Sequence, residues 1–164
     1  MTLYETTRDE IYDQLSAVTD GGRIFKSVRY TTDWASWFAL YANEEHLLKV
    51  CWFSKVAHDD SVNSPLADFD AGDFIHHTQM SEQWRIEMYY GFKDDDNLPS
   101  EFDAQLLFER VETQFRFLQT LNGICYQSLP LVRVRSELFE FQGGVLCHRA
   151  EWILKLLHRI ENPN

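Results

Sequence analysis

The sequence predicts an α+β protein: a mixed, mainly antiparallel β-sheet flanked by an N-terminal helix and one long helix, with a long acidic hairpin loop. Three observations predict it. Residues 23–31, 47–57, 83–92 and 131–141 are short runs rich in β-branched and aromatic side chains, the mark of strands. Leu107, Val111, Phe115, Leu118 and Leu121 recur at helical spacing. The composition, 45% hydrophobic and 15% aromatic over 164 residues, suits one core, because a chain of this size removes roughly 70% of its unfolded surface from water. The expectation is a single domain, 1–164, with no repeat and no low-complexity segment.

Taken in order, the first helix is expected at 8–18. Thr7 and Glu10 have capping-box spacing, Ile11, Leu15 and Val18 form its apolar stripe, and Gly21-Gly22 stop it. A strand at 23–31 follows. Trp34, Trp37, Phe38 and Tyr41 fit a short helix, although aromatic residues suit a strand equally well. A strand at 47–57 leads into residues 58–82, which hold Asp59, Asp60, Asp68, Asp70 and Asp73 ahead of His76-His77. So long a connection between strands tends to be functional or mobile, and it reads as a projecting hairpin loop or, equally, as a disordered surface excursion with no role.

The strand at 83–92 sets Trp84, Ile86, Met88 and Tyr90 on one face and Arg85 and Glu87 on the other. The turn Asp94-Asp95-Asp96 ends it. Ser100 is an N-cap for the long helix at 101–121, which Gly123 closes. After Pro130 and the strand at 131–141, residues 145–161 fit two periods. A strand puts Ala150, Trp152, Leu154, Leu156 and Ile160 together; a helix aligns Ile153, Leu156, Leu157 and Ile160. The Gly143-Gly144 turn favours a long antiparallel strand.

Fifteen Lys+Arg against twenty-six Asp+Glu give a net charge of −11, a surface that repels nucleic acid and anionic membranes. The polar N-terminus is not expected to be a secretory signal, and no apolar run is long enough to span a bilayer. Cys51, Cys125 and Cys147 lie in apolar stretches and read as reduced, buried thiols.

No catalytic residue, cofactor or metal site is expected. The chain has no G-x-G-x-x-G, P-loop, H-E-x-x-H or G-x-S-x-G motif. His58, Asp70, Asp73, His76 and His77 are chemically able to ligate zinc or manganese, but their spacing matches no known site. Asp94–Asp96 lacks the alternation of an EF-hand loop. Glu101, Asp103, Glu109 and Glu112 fall on the polar side of the long helix, and His148 and His158 on the apolar side of the last strand. Core histidines are the simpler reading there.

Three stretches, LLKVCWFSKV, QWRIEMYYGF with the helix after it, and GGVLCHRAEWILKLLHRIE, together with this order of elements, resemble tail terminator and neck (head–tail joining) proteins of tailed bacteriophages. The resemblance implies a virion protein, present in host cytoplasm during assembly, with no enzymatic activity. It implies a hexameric ring that caps the tail tube, meets head-completion proteins and lets DNA pass through its lumen. No residue role transfers with it. Asp59, Asp60, Asp68, Asp70, Asp73, Asp94, Asp95 and Asp96 are candidates to face a neighbouring subunit or that lumen; plain solubility charge is the alternative. Two other classes stay open: a small acidic inhibitor or immunity-type protein that occupies a basic enzyme, and a hydrolase using the loop.

Overall fold

A computed structural model of the chain describes residues 1–18, 27–30, 50–62, 77–91, 101–141 and 145–161. Among these residues six strands form one sheet: β1 (Ser27–Tyr30), β2 (Val50–Val62), β3 (His77–Gly91), β4 (Gln127–Ser128), β5 (Val132–Phe141) and β6 (Val145–Glu161). Their order is β1-β2-β3-β6-β4, with β5 following β4 along the same side of β6. Only β1 and β2 run parallel. The α+β class and the mixed, mainly antiparallel sheet are as expected.

The centre of the sheet is the antiparallel ladder of β3 and β6. It runs from His77 opposite Glu161 to Gly91 opposite Cys147 without a register shift. That partner settles the two periods of 145–161 in favour of a strand. Opposed residues share a face, so Trp84 with Leu154, Ile86 with Trp152 and Met88 with Ala150 point the same way, and β2 adds Cys51 and Phe53. All of these are fully buried.

Among the described residues two helices cover this face: α1 (Leu3–Ala17) and α2 (Glu101–Arg116). Ile11, Leu15, Phe108 and Val111 enter the same core, where a fully buried aliphatic or aromatic side chain contributes about 1.5–3 kcal/mol. Tyr4 stacks on Trp84 at 5.7 Å between ring centres, and Phe108 meets Trp152 edge-on at 5.6 Å.

Several boundaries differ from expectation. The first helix begins at Leu3, and its capping box is Thr2 with Glu5 rather than Thr7 with Glu10. The Thr2 N–H donates to Glu5 (2.7 Å), and the Glu5 N–H donates to the Thr2 hydroxyl (3.2 Å). Thr7 is buried and donates to the Leu3 carbonyl, while Glu10 accepts from Gln14 and Asn122. A capping signal occurs twice in this stretch, and the earlier one wins because Tyr4 then reaches Trp84.

Strands β2 and β3 pair as a hairpin and extend well into the expected 58–82 loop, with His58 opposite Glu82 and Asp59 opposite Ser81. Asp59 and Asp60 therefore belong to a strand. Ladder hydrogen bonds outweigh the low strand propensity of Asp once β6 holds β3 in place.

The long helix ends at Arg116, five residues before the expected 121. Leu121, Asn122 and Gly123 all take left-handed backbone angles (φ 45°, 54° and 86°) in the turns that follow. Leu121 is fully buried, so its apolar contacts hold a conformation that branched side chains disfavour. These turns deliver Tyr126, whose N–H donates to the Leu157 carbonyl at 2.9 Å and starts the β4 edge.

The expected helix around Trp34–Tyr41, the Gly21-Gly22 stop, the Ser100 cap and the Gly143-Gly144 turn lie outside the described residues.

If the central ladder organises the sheet, Ile86→Ala will destabilise the protein by about 2–5 kcal/mol in urea unfolding. Thr2→Ala will cost about 1 kcal/mol through lost capping alone.

Candidate functional site

Of the acidic residues singled out in the sequence, Asp59 and Asp60 lie on β2, and Asp59 is placed opposite Ser81. Asp68, Asp70, Asp73, Asp94, Asp95 and Asp96 lie outside the described residues, as does His76. His77 opens β3 opposite Glu161. Among the described residues no three His, Cys, Asp or Glu side chains gather to hold a metal, and no helix is long and apolar enough to cross a membrane.

The tertiary structure instead brings together ionisable groups on both faces of the sheet. On the helix-covered face, Glu82 is almost fully buried beside Trp84. Its carboxylate accepts from Lys55 Nζ at 2.5 Å and from Trp84 Nε1 at 3.2 Å, and His158 Nε2 stands 3.5 Å away. Lys55 also lies over the Tyr4 ring, 5.7 Å from its centre. Register makes this cluster: Lys55 is opposite Trp84, Glu82 opposite Leu156, and His158 opposite Met80.

Burial pushes the Glu82 carboxyl up, and polar contacts from His158, Lys55 and Trp84 more than offset it, holding it at about 2. A carboxylate so held is ionised at neutral pH and a weak base. It is suited to fixing three strands in register rather than to moving protons.

On the other face, Arg149 is the hub. It ion-pairs with Glu87 at 3.1 Å, Glu137 at 3.2 Å and Glu151 at 3.6 Å, and lies over the rings of Tyr89 and Phe139. The Tyr89 hydroxyl donates to Glu87 at 2.8 Å, and burial together with the Glu87 charge pushes that phenol far above its usual range. Arg85 reaches Glu151 at 3.1 Å. Strands β3, β5 and β6 are thereby tied by charge as well as by backbone.

A third contact joins α2 to β5 and β6. Glu112 accepts from Arg133 Nε at 2.6 Å and from Trp152 Nε1 at 2.9 Å. Glu112 was expected on a solvated helix face; it is half-buried because β5 folds back beneath α2. His148 and His158 are buried in the sheet, as expected for core histidines.

The three thiols are free and buried. Burial raises Cys125 to about 11 and Cys147 to about 12, and pushes Cys51 higher still. Two surface grooves, one lined by Leu106, Glu109, Arg110 and Phe117 and the other by Arg116, Thr120, Tyr126 and Pro130, contain no His or Cys among the described residues.

The surface best suited to recognition is β5. Val132, Val134 and Leu138 are each more than half exposed, and Arg135, Ser136 and Glu137 are exposed between them. Among the described residues no strand pairs with its outer edge. The sequence marked 131–141 as a strand but held no signal that it would lie at an edge, since that depends on β6 accepting β3 on its other side.

Two outcomes test the ionic reading. Because the folded-state pKa of Glu82 lies below its ordinary value, the cluster stabilises the protein above about pH 4.5. That contribution is lost as pH falls from there toward about 2. Urea midpoints of wild type and Glu82→Gln will therefore converge across this window; parallel curves would assign Glu82 no such role. Native protein at pH 8 will react slowly with a thiol reagent and release three fast-reacting thiols only on unfolding. No family model matches the chain, and comparison with curated proteins returns no match.

Proposed function

We propose that this protein is a structural assembly subunit of a tailed phage or prophage, of the tail terminator or neck class. It would join other proteins through its sheet edge rather than transform a substrate. The observation that carries this reading is the β5 edge, with which no strand pairs among the described residues. An exposed edge strand is a template for pairing with another chain, and single-domain proteins ordinarily blunt it. Here a register shift at Val134 and the charges of Arg135 and Glu137 limit promiscuous pairing. Three exposed apolar side chains remain for a specific partner.

Two further observations support the reading. The described buried charges are consumed in ion pairs, between strands at Lys55–Glu82 and Arg149–Glu87 and between helix and strand at Arg133–Glu112, a rigid frame fitted to bearing contacts. The net charge of −11 suits a subunit next to a DNA passage, where like charge keeps phosphates from sticking. The resemblance of three sequence stretches to tail terminators names the assembly: a hexameric ring between tail tube and head-completion proteins.

Light scattering on the protein mixed with a tail tube protein will give a complex of closed-ring mass. Leu138→Asp will abolish that complex while leaving the far-ultraviolet circular dichroism spectrum intact. A protein that never joins a tube, and instead forms a salt-sensitive one-to-one complex with a basic enzyme, would replace this reading with the acidic-inhibitor one.

A further inference from the structure

We infer that β5 is a self-complementary edge, and that two copies of this chain pair through it, antiparallel and two-fold symmetric, to form one continuous sheet. The inference rests on the reading of β5 as a contact edge and goes further by naming its first occupant, a second copy.

Register decides which pairings this edge can make with its own copy. The two-fold axis of an antiparallel strand pair stands perpendicular to the sheet and passes between a residue and its own copy. Each possible centre therefore fixes every other pairing. Centring on Arg135 or Glu137 sets a charge against itself, and centring on Val134 sets Arg133 against Arg135. Centring on Leu138 sets Arg135 and Glu137 against Phe141 and Phe139 of the second copy, with no opposite charge across the pair.

Centring on Ser136 behaves differently. It places Arg135 opposite Glu137 of the second copy, Val134 opposite Leu138 of the second copy, and the reciprocal pairs by symmetry. Arg135 and Glu137 meet their opposites, two of the three exposed apolar residues meet each other, and the exposed Glu140 falls opposite Val132 of the second copy. Opposite charges and apolar residues directly across a strand pair are stabilising, and like charges destabilising.

The surroundings allow it. From Arg135 to Phe141 the strand is held by β6 without a register shift, so its outer edge is straight at Arg135, Ser136 and Glu137, and the shift falls at Val134 just beyond them. Arg149 and Glu151 steady Glu137 and Arg135 from behind at 3.2 Å and 3.8 Å, which lowers the conformational entropy that pairing removes. Arg133 is withheld from the edge by Glu112 and Gln105. The contact is isologous and closes at two copies. A ring of six needs a second, different surface, so the dimer is a species of its own.

Charge reversal tests the register. Wild type will show a concentration-dependent rise from monomer to dimer mass by light scattering across tens to hundreds of micromolar. Arg135→Glu alone sets Glu against Glu twice, and Glu137→Arg alone sets Arg against Arg twice. Each will weaken the dimer by roughly tenfold or more. Mixing the two variants restores both ion pairs, so an equimolar mixture will dimerise where neither variant does.

Ser136→Cys stands on the axis opposite its own copy, within disulfide reach. Because the three natural thiols are buried, it will give an oxidised covalent dimer. Wild type that stays monomeric, or two variants that stay monomeric on mixing while each retains its native spectrum, would overturn the inference. A protein that assembles with tube protein yet never dimerises through Ser136→Cys sinks this inference and leaves the proposed function standing. The reverse result sinks the proposed function alone.

Discussion

Everything described in this protein hangs on one ladder, the uninterrupted antiparallel pairing of β3 with β6. Fifteen consecutive residues of β3 each face one residue of β6, and no bulge relieves the register. A slip of one residue would carry every side chain to the opposite face. Trp84, Ile86 and Met88 would leave the core that α1 and α2 cover, and Glu87 and Tyr89 would be forced into it. The apolar alternation of both strands excludes that slip.

The ionic clusters depend on the same register. Glu82 meets His158 because positions 80 and 158 are opposed, and Glu87 meets Arg149 because positions 87 and 151 are opposed. Buried charges of this kind add little net stability over apolar groups of the same volume, but an unmatched one costs several kcal/mol, on the order of 3–5. They act as checks on alignment. Where β2 and β5 join the central pair, the ladders do shift register, at Lys55/Ala57, Asp59/Val62 and Arg133/Arg135. The central pair is rigid and its neighbours adapt to it.

The edge is a consequence of this arrangement. With β3 on one side of β6, the other side takes β4 and then β5, and β5 has only β6 to pair with among the described residues. Its inner face is committed to Trp152 and Glu112 through Arg133, while no described strand takes its outer rim. A strand so anchored is stiff enough to present Val134, Arg135, Glu137 and Leu138 in fixed order, which recognition of any partner requires.

Much of the fold is decided by the sequence alone. Period-two alternation marks β3, helical spacing marks α2, and three cysteines in apolar stretches read correctly as buried thiols, because each signal is local and repeated. Other features are not local. Residues 145–161 satisfy helix and strand spacing equally, and only β3 as a partner makes them a strand. Glu82, Glu87 and Glu112 look like solvated charge in sequence; their burial depends on Lys55, Arg149 and Arg133, residues far away along the chain. The helix that ended at 121 on spacing ends at Arg116, because burying Leu121 and starting β4 outweigh further helical turns. That β5 has only β6 as a partner among the described residues could be known only once the other described strands had found their places. A single chain reports what each segment prefers; which segment is left at the edge follows from the pairing of all the others.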